Sequence, residues 1–323
     1  MTVTNATTWL TNVSVGRHDG SVGTFNIQSN AQVYLLDALS IGRFSNSVGH
    51  VFVTGGQLIL ENDNIWVGRE GTGDMTVSGG TVQAISAFVA LSTVTTDVVS
   101  QVVVTNVPSG TLTISGGTLA LSSNLLVGTS LISTGAVMIA GGSLSVGSSG
   151  YVNVSGGNIT LNSGTLSAGN LFLTNTSGQF ILNGGTLQAK SMTVANGTPF
   201  VVGNGVNPAT LVLQGGTYSF ANGLIISNNA TVTGCGTIIG PVSNFGTLAL
   251  NCLTITAITR IGSTNTVSFT TLDNSNHVLE YKNTLSDSAW TPLLPGIIGT
   301  GQVMSKVDTN AIVPTRFYRI HLQ

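Results

Sequence analysis

A tripeptide that returns at a constant interval constrains this sequence more than any other feature. Val15-Gly16-Arg17 returns as Ile41-Gly42-Arg43 and again as Val67-Gly68-Arg69, so the three arginines are evenly spaced along the chain. A glycine and two alternating apolar residues follow each copy, beginning at Gly23, Gly49 and Gly73. A unit this short cannot bury its apolar face alone, so successive units must stack. The repeat therefore predicts a solenoid.

A shorter motif, Gly-x-Φ-x-Φ-x-Gly-Gly-x-Φ-x-Φ with Φ apolar, continues beyond these three copies. Its glycine pairs are Gly55-Gly56, Gly79-Gly80, Gly116-Gly117, Gly141-Gly142, Gly156-Gly157 and Gly184-Gly185. Alternation of period two on both sides of the pair predicts two half-buried strands. Glycine between them allows a positive φ or a close backbone approach, so the pair predicts a corner. Three short strands and three turns per coil are typical of a parallel β-helix.

We therefore predict an all-β chain in which a parallel β-helix is followed by a small antiparallel β-sandwich. The β-helix is expected over residues 15–261 and the β-sandwich over residues 262–323, where charged and aromatic residues become frequent. Residues 1–14 are expected to form an N-terminal strand, with alternating Val3, Trp9 and Val13, that serves as an assembly segment. The Val- and Thr-rich segment from Ser92 to Pro108 is expected to be an insertion in one coil.

Composition excludes several classes of protein. Hydrophobic residues make up 41% of the 323 residues and charged residues only 6%, the reverse of a disordered chain. Nine Lys and Arg residues spread along a chain of net charge −2 supply no electrostatic footprint for a nucleic acid. Polar residues interrupt every apolar run well before the ~18 residues of a membrane helix. We expect neither nucleic-acid binding nor membrane insertion.

The segment Gly234-Cys235-Gly236-Thr237-Ile238, with the downstream Asn244-Phe245-Gly246-Thr247-Leu248, resembles the closing coil of a known family. The family comprises the passenger β-helices of bacterial autotransporters and related surface proteins, and the resemblance covers about residues 10 to 260. The C-terminal segment, with Arg316-Phe317-Tyr318-Arg319 near its end, is similar to a small β-sandwich module found in secreted bacterial proteins. The resemblance implies a bacterial surface or secreted protein, and the few charges, scarce Lys and many hydroxyl and amide side chains also favour an extracellular location. No signal peptide is visible at the N-terminus: either it was removed, which we favour, or export uses another signal.

Charged residues recur at the repeat distance. Arg17, Arg43 and Arg69 would stack as a ladder, and Asp37 and Asp63 are separated by the same interval. A guanidinium ladder can bind an anion or a carbohydrate, because Arg presents a fork of donors. The alternative is an external stack that nearby acids neutralise, and we favour this structural interpretation.

An enzyme that degrades polysaccharide is a further alternative. Such chemistry needs two or three carboxylates on one face. The chain has 11 acidic residues and none between Asp97 and Asp273, so only the region of Asp37, Glu61, Asp63, Glu70 and Asp74 qualifies. The histidines (His18, His50, His277 and His321) show no metal-ligand spacing. We expect no enzymatic activity, no cofactor and no metal.

The two cysteines, Cys235 and Cys252, either form a disulfide between neighbouring coils or are two small buried residues without a bond. The sequence leaves both alternatives open.

The function expected is that of a structural subunit of an extracellular fibre, with a second copy of the chain as its partner in a head-to-tail polymer. An open coil end exposes unpaired backbone groups that template further strand pairing. The main alternative is a monomeric cell-surface adhesin whose flank binds glycan.

Overall fold

The computed structural model describes residues 1–91, 94–96, 103–105, 108–128, 133–250, 252–272, 275–312 and 315–322. The described part of the chain contains strands and turns but no helix. It divides into two compact units, Met1–Ala249 and Leu250–Gln323. The first is a parallel β-solenoid and the second a pair of small antiparallel sheets, so the predicted fold class is confirmed.

Apart from one antiparallel pair, the strands of the first unit form three parallel stacks, one on each face of the solenoid. The strands are β1 (Thr2–Val3), β2 (Thr7–Leu10), β3 (Val13–Val15), β4 (Val22–Ile27), β5 (Gln32–Leu35), β6 (Leu39–Ile41), β7 (Val48–Leu60), β8 (Ile65–Val67), β9 (Thr72–Ala84), β10 (Ala87–Val89), β11 (Val94–Thr96), β12 (Val103–Thr105), β13 (Ser109–Ile114), β14 (Thr118–Leu121), β15 (Leu125–Val127), β16 (Thr134–Val146), β17 (Tyr151–Val154), β18 (Gly157–Leu173), β19 (Gly178–Leu182), β20 (Gly185–Val194), β21 (Phe200–Val202), β22 (Ala209–Phe220), β23 (Leu224–Ile226), β24 (Ala230–Ile239), β25 (Val242–Asn244) and β26 (Thr247–Leu250). The first stack begins with β1 and β4, the second with β2 and β5, and the third with β3 and β6.

The solenoid begins earlier than the sequence predicts. Strands β1, β2 and β3 pair in parallel with β4, β5 and β6 of the next coil, so residues 1–14 form part of the first coil. Val3 faces the core with 6% of its surface exposed, and Val13 packs against the core from a half-buried position. Trp9 is 63% exposed.

Of the insertion expected from Ser92 to Pro108, the structure describes β11 and β12, which form an antiparallel pair. Residues 92–93, 97–102 and 106–107 lie outside the described residues.

The core of the first unit is a continuous column of aliphatic side chains. In β4, for example, Phe25 and Ile27 are buried, whereas Thr24 and Asn26, at the alternate positions, face outward. This alternation, expected of strands with one wet face, repeats coil after coil. Near the C-terminal end of the column, Phe180, Phe200 and Phe220 stack at centroid distances of 5.9 and 5.7 Å.

In each of the first five coils, a residue in the left-handed backbone conformation directly follows the strand of the third stack. Gly42 has a φ of 63°, and in-register positions are filled by Gly16, Gly68 and Gly128, all at positive φ. Ala90 takes the same conformation (φ 59°) in one coil. At Gly42 a methyl group would lie 2.2 Å from the carbonyl oxygen of Thr72, in the next coil. Glycine is required there both by the backbone angle and by the closeness of the next coil.

We expect Gly42→Ala to lower the free energy of unfolding by about 3 kcal/mol, because backbone strain adds to a clash with stacked backbone. Gly205→Ala is the matched control, since Gly205 also has a positive φ (80°) but open space around its Cα. That variant is expected to lose about 1 kcal/mol. Urea denaturation followed by circular dichroism measures both, and equal losses would contradict the role of coil contact.

The second unit consists of two antiparallel sheets. One contains β27 (Ile255–Ile261), β28 (Thr264–Thr270) and β32 (Val303–Asp308), and the other contains β29 (Asn276–Lys282), β30 (Thr291–Pro292), β31 (Ile297–Ile298) and β33 (Phe317–Leu322). Val267 and Phe269 of the first sheet share a small core with Leu279 of the second. Strand β27 pairs with β28, so the unit begins at Leu250, before the predicted boundary at residue 262.

A buried ion pair crosses the second unit. Asp308 Oδ2 accepts hydrogen bonds from Arg316 Nη1 (2.6 Å) and from the Tyr318 hydroxyl (2.7 Å). The side chains of Asp308 and Arg316 are only 1% and 4% exposed. Burial raises the pKa of Asp308, but the hydrogen bonds from Tyr318 and Arg316 outweigh it, and the net pKa is lowered. The ionised carboxylate is therefore the stable form in the fold.

We expect Asp308→Ala to destabilise the second unit by about 3 to 5 kcal/mol, because it leaves the Arg316 charge buried without a partner. Hydrogen exchange of peptides from residues 264–322 in the full chain measures the loss. Asp287→Ala, which removes a solvent-accessible carboxyl of the same unit, should cost less. The pKa of Asp308 is lower in the folded than in the unfolded state. Its contribution to the free energy of unfolding is therefore fully present above the unfolded-state pKa and is lost as the pH falls through the folded-state pKa. Wild-type protection that does not change down to about pH 2 would contradict this assignment.

Candidate functional site

The three repeated arginines do form a ladder at one corner of the solenoid. The backbone N–H of Arg43 donates to the carbonyl of Gly16 (2.9 Å), and that of Arg69 donates to Gly42 (3.1 Å). Leu91 continues the rank, because its N–H donates to Gly68 (3.0 Å). We call Arg17, Arg43 and Arg69 the arginine ladder. Its members are about one strand spacing apart, on the order of 4.8 Å.

The guanidinium groups of Arg43 and Arg69 lie against neighbouring side chains. Arg43 Nη1 donates to Ser14 Oγ of the preceding coil (3.3 Å), and its guanidinium carbon is 5.3 Å from the centre of the Phe44 ring. The guanidinium carbon of Arg69 is 5.2 Å from the centre of the Trp66 ring. These contacts restrict the motion of two long side chains.

Trp66 belongs to an aromatic pair that extends the ladder's surface along the third stack. Trp66 of β8 and Phe88 of β10 are in register, and their rings stack at 4.1 Å with an angle of 11°. Both side chains are half-buried and point outward from the strands. This pair is not among the sites predicted from the sequence. Its signal was present, since each ring is the middle residue of a strand whose flanking residues are apolar.

The acids that were expected to neutralise the arginines do not pair with them. In the described residues the ion pairs are His50–Asp74 (3.1 Å), Arg316–Asp308 and Arg319–Glu280, and none includes a member of the ladder. Asp37 precedes β6 and Arg43 follows it, so they lie at opposite ends of one strand. The charge of Arg43 lowers the pKa of Asp37, but it is the smallest of the causes of that shift. The favoured structural interpretation, two paired ladders, is therefore not what the structure shows.

Asp37 and Asp63 instead interact with each other. Asn12 Nδ2 donates to Asp37 Oδ2 (3.1 Å), and the Asp37 and Asp63 carboxyls lie close enough for each to shift the pKa of the other. The pKa of Asp37 is lowered, first by the hydrogen bond from the Ala38 N–H and then by Asn12. The pKa of Asp63 is raised, first by its withdrawal from water and further by Asp37. The pair therefore favours one shared proton.

We expect Asp63→Asn to raise the melting temperature at neutral pH, because the amide donates to Asp37 without a second negative charge. Because the pKa of Asp63 is raised in the folded state, Asp63 stabilises the fold at pH values below its unfolded-state pKa. This stabilisation is lost as the pH rises through its folded-state pKa. The lowered pKa of Asp37 acts in the opposite sense, so the pair is best satisfied near the ordinary pKa of aspartate, about 4. The advantage of the variant should thus shrink as the pH falls toward that value, as measured by thermal unfolding.

Asp74→Asn is the control for this comparison, because Asp74 contacts His50 rather than another carboxyl. It should not raise the melting temperature. An Asp63→Asn protein that melts at or below the wild-type temperature at neutral pH would contradict the shared proton.

The acidic residues named as candidates are spread over more than one corner of the solenoid. Asp63 precedes β8 and Glu70 follows it, so these two acidic residues lie at opposite ends of that strand. Glu61 lines a shallow cavity of about 480 Å³ with Gln83 and Ser122. Within the described residues, no group of three His, Cys, Asp or Glu side chains is placed to hold a metal.

A rank of hydroxyl side chains runs along the outer face of the second stack. In-register pairing places one Thr or Ser at the same position of seven successive coils: Thr81, Thr118, Ser143, Thr165, Thr186, Thr210 and Thr231. Ser143 Oγ and Thr118 Oγ1 are hydrogen-bonded (3.2 Å). Five of the seven directly follow a glycine, whereas Thr210 and Thr231 each follow an alanine, so the full rank becomes visible only once the register is known.

Both cysteines of the chain, Cys235 and Cys252, are disulfide-bonded. Disulfides form and persist in oxidising compartments. In the part of the chain that the structure describes, no helix has the length and apolar character needed to cross a membrane.

Comparison of the chain with protein-family models, with curated proteins and with solved structures finds no match. The fold defines a β-solenoid repeat protein. A function for it therefore has to follow from the geometry of this chain.

Proposed function

We propose that this chain is a structural subunit of an extracellular fibre that polymerises head to tail through the ends of its solenoid. Each coil adds to the previous one by parallel backbone pairing. Backbone groups are common to every coil, so the pairing used within a subunit is also available between subunits.

The observation that carries the proposal is the edge of the first coil. Within the described residues, β1, β2 and β3 pair only with β4, β5 and β6. An edge of this kind is a template for another strand, and monomeric proteins block it with Lys, Pro or a covering segment. Here the edge carries Thr, Val and Trp side chains.

Trp9 adds a specific contact at this edge. Its ring stacks on Tyr34 of the next coil at 5.3 Å and an angle of 11°, yet 63% of the residue is exposed. A ring with only one face covered is the natural end of a ladder that continues in another copy. Aromatic stacking of this kind contributes about 0.5 to 1.5 kcal/mol beyond area burial.

The low charge of the chain favours such stacking. The net charge is −2 over 323 residues, so two subunits repel one another weakly. The disulfide and the composition support a secreted location, and the resemblance of the closing coil to autotransporter passengers supports a bacterial surface. We propose a non-enzymatic protein without a cofactor, whose main partner is a second copy of itself.

The proposal predicts that the wild-type chain forms filaments with an axial repeat of one subunit and that Trp9→Lys abolishes them. The lysine removes the end ring and places a charge on the edge strand, which natural proteins use to prevent strand addition. Negative-stain electron microscopy and light scattering over a concentration series measure assembly.

Val206→Lys is the matched control, because Val206 is 74% exposed and lies far along the chain from the first coil. It adds the same charge and should leave filaments intact. Wild-type chains that stay as discrete monomeric rods at high concentration would overturn the proposal, as would equal inhibition by both substitutions.

A further inference from the structure

We infer that the arginine ladder and the adjoining Trp66–Phe88 pair form a binding site for an acidic polysaccharide, one that carries carboxylate or sulfate groups. The inference goes beyond the proposed fibre and does not depend on it, since the site lies on the flank of single subunits. It rests on the charge, the order and the neighbours of the three guanidinium groups.

The ladder concentrates positive charge at one corner. Three arginines follow one another in register on successive coils, and no carboxylate among the described residues lies within 4.0 Å of their guanidinium groups. Like charges in register repel, and this repulsion is relieved when an anion lies between neighbouring members. The chain has only nine Lys and Arg residues, so a third of its basic side chains lie at this one corner without an ion pair.

The guanidinium groups also keep unused donors. Arg43 uses one N–H group on Ser14 Oγ, whereas the guanidinium groups of Arg17 and Arg69 make no hydrogen bond to a described residue. Arg69 Nε is buried without a partner, while the residue as a whole remains half-exposed. The guanidinium fork matches the two oxygens of a carboxylate or sulfate.

Two of the three side chains are already ordered. Arg43 is held by Ser14 and Phe44, and Arg69 by the Trp66 ring. Side chains that are restricted before binding lose less conformational entropy when a ligand arrives. The site therefore favours binding more than three freely moving surface arginines would.

The surroundings of the ladder indicate the class of ligand. Arg69 is the last arginine of the ladder. Leu91 takes the equivalent position in the next coil, and Trp66 and Phe88 place an apolar surface beside it. A sugar ring with an acidic substituent has both properties, a charged group for the guanidinium and C–H groups for aromatic surface. A polymer can place successive acidic sugars along successive coils, in contact with more than one arginine. A small inorganic anion would gain nothing from the aromatic pair.

The experiment measures binding of the full-length protein to polygalacturonate (carboxylate), heparin (sulfate), dextran (neutral) and a single-stranded oligonucleotide at low salt. We expect saturable binding to at least one acidic polysaccharide and none to dextran. Arg43→Gln should weaken that binding about tenfold, as the loss of a charge-assisted hydrogen bond does. Arg43→Lys, which keeps the charge but not the fork, should recover only part of it.

Lys190→Gln is the matched control, because Lys190 is an exposed cation elsewhere on the solenoid. It should leave the affinity within about twofold of wild type, since non-specific charge attraction contributes little. A ligand-induced change in tryptophan fluorescence that is lost in Trp66→Phe, with affinity retained, would place the ligand beside the ladder. Circular dichroism verifies that each variant is folded.

Three results would overturn the inference: no binding of either acidic polysaccharide, equal losses in Arg43→Gln and Lys190→Gln, or preferential binding of the oligonucleotide. The fibre proposal is tested separately, because the Trp9→Lys protein retains the ladder and should bind the polysaccharide as the wild type does.

Discussion

Parallel backbone pairing between successive coils is the constraint on which the rest of this structure depends. Val15 is in register with Ile41 and Ile41 with Val67, and the other strands of these coils pair in parallel as well, with register shifts confined to the corners. A one-residue slip would turn the apolar column outward, which is why register is strongly specified where one face is buried. The glycine corners matter because they let the chain turn without pushing adjacent coils apart.

Register also explains why polar residues act in ranks rather than singly. Outward positions repeat with the coil, so a preference at one position becomes a line of similar groups along the flank. The hydroxyl rank of the second stack and the Asn12–Asp37–Asp63 series are two such lines. The arginine ladder is a third, and its charge makes it costly without a partner, which is the reason to look there for a ligand.

The proposed fibre contact and the proposed polysaccharide site draw on different parts of one architecture. Strand addition uses backbone groups at the end of the solenoid, while the ladder uses side chains on its flank. An assembled fibre would repeat the ladder once per subunit. Weak sites repeated at fixed spacing bind a polymer more tightly than any one of them does, provided that the polymer can span them.

The sequence alone determined the fold class, because a glycine-punctuated repeat with strict alternation leaves few alternatives to a parallel solenoid. It also placed Arg17, Arg43 and Arg69 in one rank, since that follows from the period. What it could not determine was which groups meet across the corners. Asp37 shares the repeat distance with the arginines, yet the strand β6 separates it from Arg43, and it contacts Asp63 instead. The position of residues 1–14 in the first coil and the stacking of Trp66 on Phe88 were likewise decided by tertiary structure, because pairing partners between coils depend on how each corner turns and not on spacing in the chain.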